Sequence, residues 1–142
     1  MRYMLLIYLD EKSLDEAERE ACYRESTELA EQIAATGQYL ASAPLHPTSM
    51  AASVRIRSGK RLVTDGPFAE THEQLGGYFL IDAKDLDEAI AIAARIPMAR
   101  RGTVEVRPVI ELPGLPPTPL PPAPAVERPR RARRTVDGAR KR

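Results

Sequence analysis

Val63-Thr64-Asp65-Gly66-Pro67-Phe68-Ala69-Glu70-Thr71 is the stretch on which a reading of this chain turns. An apolar–polar alternation runs into Thr64, and Asp-Gly-Pro then forces a change of direction: Gly takes positive φ cheaply, and Pro fixes φ and has no N–H to donate. Phe68, one of two Phe in the chain, falls on the expected loop among Asp65, Glu70, Thr71, His72 and Glu73. Two roles suit it: a plug for the core, or part of a ligand-facing loop. Gly76-Gly77 then releases the chain into Gly77-Tyr78-Phe79-Leu80-Ile81-Asp82, which reads as a buried strand.

Upstream of that turn, Ser53-Val54-Arg55-Ile56-Arg57, Ser58-Gly59 and Lys60-Arg61-Leu62-Val63 spell a hairpin. Val54 and Ile56 are expected to face the core, with Arg55 and Arg57 on the opposite side. Further back, Tyr3 to Leu9 is a continuous apolar run that suits a central strand. Ser13-Leu14-Asp15-Glu16 has the form of a capping box. It opens an amphipathic helix whose inward stripe is expected at Leu14, Ala17, Ala21, Glu25, Leu29 and Ile33, with Gly37 as its stop. Gln38 to Leu45 reads as a strand that leaves the sheet or lies at its edge, because Pro44 and Pro47 bracket Leu45-His46.

Downstream, Asp85-Leu86-Asp87-Glu88 is a second capping box before an Ala-rich helix that Pro97 ends. Thr103 to Glu111 alternates as a last strand. The order β, α, β, hairpin, β, α, β predicts an α+β sandwich: two helices on one face of a mainly antiparallel sheet, in the ferredoxin-like split βαβ pattern. The sheet's other face has no helix to cover it, and a homodimer closing two sheets into an α/β barrel would do so.

Composition divides the chain. Nine of its thirteen Pro lie at or after Pro108, so a folded domain is expected over 1–112 and a Pro-rich, then Arg-rich, disordered tail over 113–142. The domain carries thirteen Lys and Arg against eighteen Asp and Glu; the tail carries eight against two. Such a tail offers at most weak, salt-sensitive contact with nucleic acid. A single Cys, Cys22, excludes an intrachain disulfide and suits a reducing compartment. The opening apolar run is too short to cross a membrane and lacks a cleavage site after it, so a cytoplasmic protein with no membrane partner is expected.

The two His, His46 and His72, fall on loops flanking the sheet. With Asp65, His46 could form an acid–base pair, which makes these two the catalytic candidates. Asp65 could equally cap its own turn. Arg55 could hold an anion through its guanidinium fork. Tyr8 and Tyr78 lie on the expected central strands, where their hydroxyls could line a cleft. The ligand-binding candidates are therefore Tyr8, His46, Arg55, Asp65, Phe68 and Tyr78. No spacing matches a metal motif, and no cofactor fingerprint is present. Cys22 lies on the first helix with Arg19 and Arg24 near it in sequence, and the default for such a thiol is burial without reactivity.

The phrase Val-Thr-Asp-Gly-Pro-Phe-Ala-Glu-Thr, followed by Glu73-Gln74-Leu75-Gly76-Gly77-Tyr78, resembles the DGPF branch of the YCII-related family. The opening Met1-Arg2-Tyr3-Met4-Leu5-Leu6-Ile7-Tyr8 resembles it too, as do Asp85-Leu86-Asp87-Glu88-Ala89, Ala94-Arg95-Ile96-Pro97 and Val104-Glu105-Val106-Arg107-Pro108. The resemblance runs to about Glu111 and covers none of the tail. It implies a dimeric ferredoxin-like barrel, and with the Asp65–Glu73 loop facing the cleft of such a barrel a small molecule is expected to bind there. It also implies an association with extracytoplasmic-function sigma factors, which makes a non-catalytic accessory protein the alternative. For smaller relatives the resemblance implies a catalytic His on the first helix and an Asp just before a Pro after the second. Here the first helix has no His, and Ile96 precedes Pro97.

Overall fold

A computed structural model describes residues 1–116; the tail from 117 lies outside the described residues. Six strands and two α-helices follow one another along the described residues: β1 Arg2–Leu9, α1 Glu16–Ala35, β2 Tyr39–Pro44, β3 Ala52–Arg57, β4 Lys60–Asp65, β5 Gln74–Asp82, α2 Leu86–Ala93 and β6 Thr103–Pro108. Short 3-10 turns sit at Glu11–Ser13, Thr48–Met50 and Pro97–Arg100. Four strands form one sheet in the order β2-β5-β1-β6, every neighbouring pair antiparallel. With the hairpin set aside, this order is compatible with the ferredoxin-like split βαβ arrangement.

The sheet has one covered face. Tyr3, Leu5 and Ile7 of β1 alternate with half-exposed Met4, Leu6 and Tyr8, as the period of two requires. Leu5 lies opposite Phe79 on one side and Val106 on the other. These side chains meet Leu29 and Ile33 of α1 and Ala89, Ile92 and Ala93 of α2 in one apolar core, in which Leu5, Ile33, Ile81 and Ile96 are fully buried. The opposite face carries Met4, Leu6, Tyr8, Tyr78 and Leu80, half-exposed, with no helix over it.

Helix ends follow side-chain chemistry. Asp15, not Ser13, caps α1, its Oδ1 accepting from the Glu18 amide at 2.8 Å; Ser13 belongs to the preceding 3-10 turn. A carboxylate there also complements the helix dipole, which favours Asp over Ser as the cap. At the far end the Gly37 and Gln38 amides bond back to Ala34 and Ile33, a Schellman closure. Asp85 caps α2 through the Glu88 amide at 2.9 Å, while Glu88 Oε1 accepts from the Lys84 amide rather than from the cap residue. The helix gives way at Ala94 before Ile96 and Pro97 begin the last 3-10 turn.

Two expectations fail. The hairpin β3–β4 is a separate two-stranded sheet that packs substantially on no other element. Val54 and Ile56 do share one face, but it looks outward: they are 61% and 59% exposed, and no core reaches them. The stripe on α1 is also shorter than expected. Leu14, just before the helix, and Leu29 and Ile33 are buried, whereas Ala17 and Glu25 are exposed and Ala21 is half-buried. In the first half of the helix Cys22 packs against the core while Tyr23 is partly exposed.

Candidate functional site

Between α1 over residues 19–30, the ends of β1 and β5, and edge strand β2 lies a cavity of about 720 Å³. It is in the size range of small-molecule sites, roughly 300–1,000 Å³. Its apolar wall includes Ile7, Leu9, Leu14, Phe79 and Met98, and the helix contributes Arg19, Cys22, Tyr23, Ser26, Thr27 and Ala30 at three-to-four spacing. Gly76 and Gly77 form part of the wall. A Cβ on Gly77 would come within 2.9 Å of the Ala43 carbonyl, so this close strand approach is kept open by the absence of side chains.

Polar groups in the wall are mostly committed to one another. The Tyr39 hydroxyl and Ser42 Oγ are 2.8 Å apart, and Thr27 Oγ1 donates to the Tyr23 carbonyl at 2.8 Å. At the rim, Glu11 accepts the Thr48 amide and the Thr48 hydroxyl, one on each carboxylate oxygen, both at 2.8 Å. The Glu11 amide in turn donates to Gln74 Oε1 at 3.0 Å. The carboxylate thus fastens the turn after β2 to the turn after β1. Arg19 and Lys12, also in the lining, make no ion pair and no side-chain hydrogen bond among the described residues. Burial pushes the Cys22 thiol above its ordinary pKa; Glu25 adds to this, and Arg101 and Arg100 pull the other way. The arginines that act on Cys22 come from beside the last 3-10 turn, not from α1.

The structure distributes the residues singled out in the sequence. His46, exposed on the loop after β2, and Tyr78 line the cavity. Tyr8 lies on the open face of the sheet, where the alternation of β1 and β5 also places Tyr78 beside Leu6. Arg55 is exposed on the hairpin opposite Leu62. Asp65 is exposed at the end of β4, and its carboxylate accepts no hydrogen bond among the described residues, so it does not cap its turn. That turn is held by Gly66 instead: its amide donates to the Ala51 carbonyl at 2.7 Å, and its carbonyl accepts from Ser53 Oγ at 2.9 Å. Its φ of +96° is one that only Gly adopts without strain. Phe68 is 78% exposed and plugs no core. His72 is exposed, and the lining passes from Pro47 directly to Gly76, so nothing on the hairpin or the 66–73 loop reaches the cavity.

Arg19, Lys12, Tyr39 and Ser42 were not singled out from the sequence. Their signal was available: polar and small residues recur at 19, 22/23, 26/27 and 30, one face of α1 beside its buried stripe. Ile96, where an Asp before Pro would be needed, is fully buried in the core. Among the described residues no three His, Cys, Asp or Glu side chains gather as metal ligands would. No helix there is long and apolar enough to cross a membrane.

An antiparallel α+β sheet with both helices on one face, and a glycine-lined cavity under the first, defines the structural class. The chain belongs to the YCII-related domain family, whose model matches residues 1–113. It is also similar to an uncharacterized protein of Rhizobium meliloti (strain 1021), 39% identical over 114 residues, which cover 77% of this chain and 92% of that protein.

Proposed function

We propose that this YCII-related chain is a small-molecule-binding protein whose site is the cavity between α1 and the sheet. The cavity itself carries the reading: a space of about 720 Å³ with a mainly apolar wall, beside a helix face whose side chains leave it open. Sites for small molecules combine an apolar wall with a few placed polar groups. The reading is tested with a neutral naphthylamine dye whose fluorescence rises in apolar surroundings. The full chain should bind it, and Thr27→Trp or Ala30→Phe, which fill the cavity, should abolish the signal. Asp65→Ala on the hairpin should leave it unchanged. Binding that survives both filling substitutions would place the dye elsewhere and sink the reading.

The same proposal includes a homodimer formed through the uncovered sheet face. Met4, Leu6, Tyr8 and Leu80 supply apolar surface there, and Val54, Ile56 and Val63 supply more on one face of the hairpin. A two-stranded hairpin alone is marginal in water, and contact with a second copy would support it. Sedimentation velocity should show a dimer that Leu6→Glu disrupts. A monomer at micromolar concentration would remove this part of the proposal.

A further inference from the structure

We propose that the ligand of the cavity is an apolar molecule bearing a single anionic group, a hydrophobic carboxylate, and that Arg19 and Lys12 receive the anion. The inference rests on the cavity being a binding site and adds the chemical class of what enters it.

Three observations converge. The wall formed by Ile7, Leu9, Leu14, Phe79 and Met98 offers an apolar body dispersion contacts and no directional partner. The hydroxyls of Thr27, Tyr39 and Ser42 already bond within the wall, so they discriminate little among ligands. Arg19 and Lys12 remain, both in the lining and both without a carboxylate partner among the described residues. Arg100 is engaged with Glu25 at 2.7 Å, Arg101 with Glu18 at 2.5 Å and Arg95 with Gln32 at 2.6 Å, and Arg24, exposed on α1, is not in the lining. Arg19 is also half-buried, so it gives up part of its hydration without a protein anion in return. Glu11 is the acidic group in the lining, and both its oxygens are occupied by Thr48. The lining therefore offers two uncommitted cations to a carboxylate, and the guanidinium fork of Arg19 matches its two oxygens.

The test is displacement of the neutral dye from the full chain by octanoate and by octanol, which share the apolar body and differ in charge. Octanoate should displace at a concentration about tenfold or more below octanol, the range of a charge-assisted hydrogen bond. Arg19→Gln should erase most of that preference and Lys12→Gln part of it, the preference being read within each variant as the ratio of octanoate to octanol displacement. Added salt should weaken octanoate and not octanol. Equal displacement by the two, or a preference that survives Arg19→Gln combined with Lys12→Gln, overturns the carboxylate inference and leaves the cavity reading intact. If the dye does not bind at all, the cavity reading fails first and this inference falls with it.

Discussion

The guanidinium of Arg101 bonds Glu18 at 2.5 Å and also reaches the Ser13 carbonyl at 3.2 Å, tying the start of α1 to the turn before β6. With Arg100–Glu25, it joins two segments that little apolar packing joins there. Both side chains of the Arg101–Glu18 pair are partly exposed, so its net worth is small, below about 1 kcal/mol. Arg101→Ala should hardly move the denaturation midpoint. It should instead speed amide hydrogen exchange in the first two turns of α1, with Leu29 to Ile33 unaffected. Unchanged exchange at Glu18 to Cys22 would show that the helix is held over the cavity by something else.

Glycines in this fold are not equivalent. A Cβ at Gly102 would lie 2.0 Å from the Tyr8 carbonyl oxygen, which is backbone and fixed by the sheet. At Gly76 the nearest atom, at 2.2 Å, is Leu9 Cδ2, the end of a side chain that can turn away. Gly102→Ala should therefore destabilise by about 3 kcal/mol or more, at or beyond the upper range of overpacking, and Gly76→Ala by about 1 kcal/mol. Urea denaturation of the two variants checks the order, and equal costs would contradict the distinction between backbone and side-chain obstacles.

Core and hairpin should respond to truncation differently. Ile33→Ala removes a fully buried side chain and should cost about 2–5 kcal/mol. Val54→Thr and Ile56→Thr, on the exposed hairpin, should change the stability of an isolated protomer by no more than about 0.5 kcal/mol. Denaturation at low protein concentration reads the protomer term. A loss that grows with protein concentration would report these two positions as interface residues.

Cys22 supplies a pH dependence. Burial raises its thiol pKa above the ordinary 9.0, so the folded chain holds the proton more tightly than the unfolded one. Stability is then unaffected by this group below the ordinary thiol range and falls as pH climbs from there through the folded pKa. Cys22→Ser should remove that downward slope. Alkylation by iodoacetamide should likewise reach its half-maximal rate at a higher pH in the native protein than in urea. A midpoint at or below that of the unfolded thiol would contradict the burial argument.

Much of the architecture was legible because local chemistry and burial agree. Tyr3 to Leu9 and Tyr78 to Ile81 are continuous apolar runs that form the two central strands, and Gly37 and Asp85 carry helix punctuation that the structure uses as read. What misled was amphipathic pattern without a partner. Val54 and Ile56 alternate as a buried strand would, yet which surface meets an apolar face is a tertiary fact that alternation does not encode. Ala17 and Ala21 fall at the right spacing for α1 but are not buried, and the helix face that lines the cavity is a different one, through Arg19, Cys22, Ser26 and Ala30. Sequence reasoning counted polar residues on loops as site candidates. The lining instead draws heavily on a helix face, where Arg19 looked like one more solvated charge.

Both outer strands of the four-stranded sheet finish in proline, β2 at Pro44 and β6 at Pro108. A fifth strand arriving along either margin would find no amide donor at that point. Sideways growth into fibre-like stacks is thereby discouraged at the two places where an open sheet is most exposed to it. Proline at these two margins works against runaway polymerisation.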